Sequence, residues 1–268
     1  MPGQTQQANE EMVELLKPYF RARTEPNKGF ADACSMYLAL PGLRGFWPMS
    51  SVDENGSAID QSGQGRDMTI AGDPDFGLDI LAPWCWYDGI NDYHTRPDEP
   101  GLDIIGNENY ITAGRVGLTI GTWFHKSTGP SIKGLIGKWN DNGVNQRSYL
   151  LYTDGTGLRF LVSNNGIVTA GTTVAIAFSS GAWYFAAGRY NPGTEVKAWL
   201  NEDTDISIAG IAPTLFNSNA DFNIAAYNNG LATRRFDGYL AFSFLCALSL
   251  PDRHLFTLFE QTRPLFGV

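Results

Sequence analysis

The chain has 268 residues, 30 of them Gly, with 18 % charged and 13 % aromatic residues and a formal net charge of −9. That length suits one large all-β domain or two small ones, and so few charges argue against helical bundles, which need Glu, Lys and Arg on their wet faces. An acidic chain without a basic cluster repels phosphate backbones, which argues against nucleic acid as a partner.

The opening MPGQTQQANEEMVELLK has no positively charged n-region and no apolar h-region, so no secretion signal is expected and folding in a cytoplasm is. The spacing of Met12, Leu15, Leu16, Tyr19 and Phe20 predicts a helix. Asn9 is its N-cap, Glu10 and Glu11 lie in its first turn, and Pro18 ends or kinks it. A second short helix is predicted over residues 28–36. Residues 1–36 therefore read as an N-terminal helical arm, and residues 37–268 as the main domain. The arm either packs on that domain's flank or contacts a neighbouring subunit.

From Tyr37 onward the period changes to two. Leu118, Ile120, Thr122 and Phe124 alternate with Thr119, Gly121, Trp123 and His125. Leu158, Phe160 and Val162 alternate with Arg159, Leu161 and Ser163. Trp183, Phe185 and Ala187 alternate with Tyr184, Ala186 and Gly188, and Phe242, Phe244 and Cys246 with Ser243 and Leu245. Turn signals separate such runs: Thr153-Asp-Gly-Thr-Gly157, Ser163-Asn-Asn-Gly166, Asn191-Pro-Gly193 and Asn228-Asn-Gly230. Many short strands without intervening helices predict two packed antiparallel sheets. The apolar run over residues 239–250 is too short to span a bilayer, which takes about twenty residues. Ser249-Leu-Pro-Asp252 opens a short C-terminal helix reaching about Glu260. Cys34, Cys85 and Cys246 are too sparse for a disulfide framework and contain no Cys-x-x-Cys pair, so buried thiols are expected and zinc is not.

The ordered motifs resemble a laminin-G-like jelly roll of the concanavalin A-like lectin/glucanase superfamily. They are Leu43-Arg-Gly-Phe-Trp-Pro-Met49, Asp60-Gln-Ser-Gly-Gln-Gly-Arg-Asp67, Tyr87-Asp-Gly-Ile-Asn-Asp-Tyr93 and Leu118-Thr-Ile-Gly-Thr-Trp-Phe124, then Leu135-Ile-Gly-Lys-Trp139, Gly181-Ala-Trp-Tyr-Phe185 and Arg235-Phe-Asp-Gly-Tyr239. The resemblance implies an all-β, two-sheet antiparallel jelly-roll sandwich and a role in adhesion or glycan binding. It also implies a structural calcium ion in some members. Here Ala241 and Phe242 stand where those members carry a carboxylate, so no cofactor is expected; Asp60, Asp88 and Asp92 remain as calcium partners elsewhere.

Glucanase relatives carry Glu-x-Asp-x-Glu on one strand, which brings two carboxyls to one face at the separation a retaining mechanism needs. This chain has no such motif, its three histidines show no metal spacing, and no Gly-x-Ser-x-Gly elbow occurs, so no catalytic or metal residues are assigned. Glycan sites combine an aromatic face with amide or carboxylate groups. Trp139, Asn140, Asp141 and Asn142, with Tyr227 and Asn228, have that composition and are the candidate ligand-binding residues; alternatively Trp139 caps the core and the Asn residues fill turns. The reading is a non-catalytic structural or adhesion protein, a capsid-decorating or tail-associated component of a virus or phage particle. Its partners would be other virion proteins or itself through the arm, and host-surface glycans. A carbohydrate-binding lectin-like protein is the alternative, and a glycoside hydrolase the third choice.

Overall fold

The computed structural model describes residues 28–50, 53, 56–78, 82–104, 117–127 and 131–268. The helix expected near residues 9–17 lies outside them. Helix α1 (Lys28–Leu38) leads into β1 (Leu43–Trp47), β2 (Thr69–Ala71), β3 (Asp75–Leu78), β4 (Pro83–Asp88) and β5 (Tyr93–Arg96). The chain continues through β6 (Leu118–Lys126), β7 (Lys133–Asn140), β8 (Gln146–Thr153), β9 (Gly157–Ser163) and β10 (Thr169–Ala175). It ends with β11 (Trp183–Asn191), β12 (Glu195–Leu200), β13 (Asp203–Ser207), β14 (Phe222–Ile224), β15 (Asp237–Cys246) and helix α2 (Asp252–Thr262).

The strands form two antiparallel sheets. Sheet A runs β13-β12-β11-β6-β15-β4-β3, with β1 also pairing β15; sheet B runs β10-β9-β8-β7-β14-β5-β2. Adjacent hairpin strands are thus interrupted by long returns, β15 beside β6 and β14 beside β7, which is jelly-roll connectivity. The period-two residues settle which face is which. Leu118, Ile120, Phe124, Tyr184 and Ala186 from sheet A meet Tyr149, Leu151, Leu158, Phe160, Phe222 and Ile224 from sheet B in the inner core.

The alternate residues of sheet A are not wet. Trp123, Phe185, Phe242, Phe244 and Cys246 face away from sheet B and are buried under α1 and α2. Helix α1 supplies Ala33, Cys34 and Tyr37, at helical spacing on one side, and stops ahead of Pro41-Gly42, where Pro41 has no N–H and Gly42 takes φ +70°. Tyr37 stacks on Phe46 with centroids 4.7 Å apart. Helix α2 supplies Leu255, Leu258 and Phe259. Just after it, Phe266 stacks on Trp123 at 4.3 Å, and the Trp123 indole N–H donates to Thr262 Oγ1 at 2.9 Å. The first turn of α2 is tied to sheet A through Asp252, which pairs with Arg189 at 2.5 Å and Lys197 at 2.6 Å. Against burial, which opposes it, these two cations hold the Asp252 carboxyl below its ordinary value.

A bulge in β15 serves this second core. Phe242 sits at φ +50°, and the β15–β6 register shifts between Ala241 and Phe244. The extra residue sends Ala241, Phe242 and Phe244 all to the helical side while Leu240 and Leu245 stay in the inner core. The three cysteines are free and buried, as their spacing suggested. Burial pushes the Cys34 thiol up to about 12.

The helical layer has a clear energetic signature. Trp123→Ala should cost about 3–5 kcal/mol in urea unfolding, because it empties the centre of the second core. Phe256→Ala, on the exposed side of α2, should stay within about 0.5 kcal/mol of the parent. Equal effects would show that the layer contributes nothing.

The inner core also holds a titratable group. His94 is fully buried with Nδ1 2.9 Å from Tyr87 Oη, and burial pulls its pKa from 6.5 down to about 4. The unfolded imidazole takes up its proton as pH falls through 6.5, whereas the folded one resists until about 4. This group therefore leaves stability unchanged above about pH 6.5 and lowers it by about 3 kcal/mol on descent to pH 4. In His94→Gln that contribution disappears. The wild-type minus variant unfolding free energy should decline across this window, and a pH-independent difference would refute the assignment.

Candidate functional site

The Gly- and Asp-rich stretches hold their carboxylates against backbone. Asp60 accepts from the amides of Phe46 at 3.0 Å, Ser62 at 2.9 Å and Arg66 at 3.0 Å, and from Ser62 Oγ at 2.8 Å. Gly63 and Gly65, at φ +79° and +70°, let the chain wrap round it. Asp92 accepts from the amides of Asp73 at 2.8 Å and Asp88 at 3.1 Å. Burial raises the Asp92 carboxyl's pKa. Burial acts in the same direction on Asp88 but is outweighed by the amides of Ile90, Asn91 and Asp92, which hold its carboxyl below the ordinary value. Among the described residues no group of three or more His, Cys, Asp or Glu is placed to hold a metal ion.

The six candidate ligand residues do come together, where the β7–β8 and β14–β15 loops meet at one end of sheet B. Trp139 is only 2 % exposed. Its indole packs with Leu150, Tyr152 and Tyr227 on the outer face of sheet B, so it is the floor of the site rather than a stacking surface. Asp141 and Asn228 clasp one another. The Asp141 amide donates to Asn228 Oδ1 at 2.9 Å, and Asn228 Nδ2 donates to Asp141 Oδ1 at 2.7 Å. Asp141 Oδ2 accepts from the Trp139 indole at 3.2 Å, and the Asn228 amide donates to the Trp139 carbonyl at 2.9 Å. Asn140 Oδ1 accepts from the Asn142 amide at 3.1 Å, while Asn142 is exposed. The Asn228-Asn-Gly230 turn has three successive left-handed residues, φ +57°, +51° and +76°, for which Asn and Gly are the suitable types.

Three further residues belong to this face. Tyr152 on β8 stands between Gly134 of β7 and Arg159 of β9 in the ladder. A Cβ on Gly134 would lie 2.5 Å from the Ala226 backbone and 2.9 Å from the Tyr227 ring, so its bare backbone admits Tyr227 beside Tyr152. The two rings are 6.1 Å apart. The Arg159 guanidinium lies over Tyr152 at 5.7 Å and that of Arg234 over Tyr227 at 5.5 Å. The Tyr152–Arg159 pairing could have been found from the sequence, since the Asp154-Gly155-Thr156-Gly157 turn sets the hairpin register; Arg234 arrives on a long return.

Facing the other way, Lys138 is fully buried and pairs with Asp98 at 2.6 Å and Asp103 at 2.5 Å, and its ammonium donates to the Ser218 carbonyl. Burial raises the Asp103 carboxyl's pKa against the opposing pull of Lys138. This network ties β7 to the 97–104 segment and sits behind the site. A cavity of about 40 Å³ beneath the β9–β10 loop, lined in part by Val162, Tyr190 and Leu215, is far below the ~300 Å³ of an ordinary ligand pocket.

No family model matches the chain, and no curated protein matches it in sequence. Solved structures do match in fold. The binding domain of Paraclostridial Mosquitocidal Protein 1 aligns with a TM-score of 0.61 at 12 % identity, covering 81 % of this chain and 52 % of that one. The binding domain of botulinum neurotoxin serotype G aligns at 0.60 and 12 %, covering 81 % and 50 %. The binding domain of botulinum neurotoxin DC, solved in complex with SialylT, aligns at 0.57 and 12 %, covering 82 % and 51 %. The chain thus spans about half the length of these proteins, and at such identities the likeness is one of β-sandwich fold. Among the described residues no helix is long and apolar enough to cross a membrane.

The clasp between the two loops is testable by a double-mutant cycle on Asp141→Ala and Asn228→Gly, the latter keeping the left-handed backbone. A coupling of about 1 kcal/mol in unfolding free energy is expected. Strictly additive costs would mean that the loops do not depend on the pair.

Proposed function

We propose that the chain is a non-catalytic binding and adhesion module that recognises surface glycans through the outer face of sheet B and the loops at its rim. The observation that carries this reading is the asymmetry of the sandwich. The outer face of sheet A is closed by α1 and α2, while the outer face of sheet B carries no α-helix among the described residues, only the short 3-10 turn Ala232–Arg234, and is rimmed by Asn140, Asp141, Asn142 and Asn228. Amides and carboxylates held in fixed orientation suit sugar hydroxyls, which need donors and acceptors at set angles. The neighbours in fold are binding domains, one of them in complex with SialylT.

The laminin-G-like assignment of residues 37–268 belongs to the same proposal. Its motifs fall on β1, the Asp60 turn, the β4–β5 crossover between the sheets, β6, β7, β11 and β15 in order. The setting we propose is a virus or phage particle, as a capsid-decorating or tail-associated component. The apolar stripe Met12, Leu15, Leu16, Tyr19 and Phe20 would dock the module to its assembly, leaving sheet B to face outward.

A glycan array probed with the purified chain should retain it on a subset of sugars, and Asn140→Ala/Asn142→Ala should reduce retention about tenfold or more without changing the unfolding midpoint. Retention on no glycan, or an unaffected double variant, would overturn the reading. For the setting, the full chain should co-sediment with purified particles and a chain lacking residues 1–27 should not; a full chain found only free would overturn it.

A further inference from the structure

Arg159 and Arg234 stand side by side on the outer face of sheet B with little carboxylate to hold them. Arg189, Arg66 and Lys138 each pair closely with a carboxylate, at 2.5 to 2.6 Å. Arg159 has only a 3.4 Å contact to Asp154, made through Nη1. Arg234 pairs with no carboxylate among the described residues. As in Arg189, the Nε of each is buried without an acceptor among the described residues, so a ligand would meet the terminal Nη groups.

The two guanidiniums are also neighbours. Each lies over a tyrosine ring, and the two rings adjoin on a floor of Trp139, Leu150 and Leu161. The cation–π contacts keep both forks at one place on the face, where a planar, doubly accepting partner can meet them. Neither tyrosine hydroxyl has a hydrogen-bond partner among the described residues. Lys133, at the start of β7, adds a third cation: its ammonium pKa is lowered by burial, with Asp237 opposing and the charge of Arg234 adding to the effect. Asp154, Asp141 and Asp237 stand among these cations, so the neighbourhood carries both signs on a chain whose net charge is −9.

We propose that this ledge is a carboxylate subsite: Arg234 and Arg159, lying over Tyr227 and Tyr152, take the carboxylate of an acidic sugar, with the two tyrosine hydroxyls and the Asn142 rim meeting neighbouring hydroxyls. This rests on the glycan-binding reading above and narrows it to sugars that carry a carboxylate. Arg234 is the principal ligand, because no carboxylate of the protein competes for it. Arg159 is shared with Asp154.

The test uses the full chain and a panel of uronic- and sialic-acid oligosaccharides, each paired with its carboxyl-reduced counterpart, which differs only in –CH2OH for –COO⁻. Binding should be at least tenfold tighter to the acidic member. Arg234→Gln should remove that preference, so that acidic and carboxyl-reduced members bind alike, and Arg234→Lys should restore only part of it, since an ammonium lacks the fork. The unfolding midpoint of each variant is read alongside; if Arg234→Gln fails to fold, Arg159→Gln and the wild-type preference itself still decide the matter. Equal binding to both members of every pair, or a preference that survives Arg234→Gln, overturns the carboxylate subsite and leaves the glycan-binding reading standing. Binding to no member of any pair overturns both.

Discussion

Burial of sheet A on both of its faces is the constraint from which the rest of the molecule follows. A β-strand presents alternate side chains to opposite sides, and β6, β11 and β15 carry large apolar side chains on both. Leu118, Ile120 and Phe124 look one way; Trp123 and, from neighbouring strands, Phe185 and Phe244 look the other. Leaving that second set in water would forfeit about 25 cal/mol for every Å² of apolar surface. Helices α1 and α2 cover it, with aromatic stacking between Trp123 and Phe266 and between Tyr37 and Phe46 adding geometric preference to the area term. The helices are accordingly a third layer of the domain. Once they occupy one side, the outer face of sheet B is the one left without an α-helix among the described residues.

The same economy governs the carboxylates. A chain with this many Asp residues in Gly-rich turns invites metal or acid–base explanations. Yet Asp60, Asp88 and Asp92 accept from several backbone amides apiece, satisfying donors that sheets and helices leave over wherever the chain turns. Asp252 and Asp103 do comparable work through side chains, one fastening α2 to sheet A and the other fastening β7 to the segment before β6. Rigidity at the turns is the product, and it is what lets loops at the end of sheet B hold polar groups in fixed directions.

How far sequence alone reaches can be judged strand by strand. Alternation in residues 118–124 and 158–163 places the correct residues in the inner core, and the Asp154-Gly155 and Asn165-Gly166 turns mark real hairpins, because a two-residue period and a tight turn are local properties, whereas Asn229-Gly230 joins strands of different sheets. Alternation says nothing of what lies on the second face, so the layer formed by α1 and α2 was visible only as two helical stretches without a place. The bulge at Phe242 was invisible for a different reason. It depends on how β15 must serve two cores at once, a tertiary demand. For the ligand residues, composition located the right loops. It could not reveal that Trp139 would be covered by its neighbours, since burial of an indole is decided by Leu150, Tyr152 and Tyr227 from other strands. Arg234 reaches Tyr227 within the same β14–β15 connection, through the Asn228-Asn-Gly230 turn and the 3-10 turn Ala232–Arg234, a fold-back that composition alone does not show.

The charge of the whole chain gives the arginine ledge a meaning that its local geometry alone would not. At −9, the field around the molecule repels extended polyanions, and the Debye length of about 8 Å at physiological ionic strength confines the influence of a pair of guanidiniums to its immediate surroundings. Guanidiniums scattered on flexible stems would accomplish little under those conditions. Lying over Tyr152 and Tyr227, they are kept near one another on the face, and a planar acceptor that reaches them can gain two hydrogen bonds from a fork. Such a surface selects by contact rather than by steering. A dense phosphate backbone is turned away at a distance, whereas a single carboxylate on an otherwise neutral sugar feels little repulsion until it is near enough to be held.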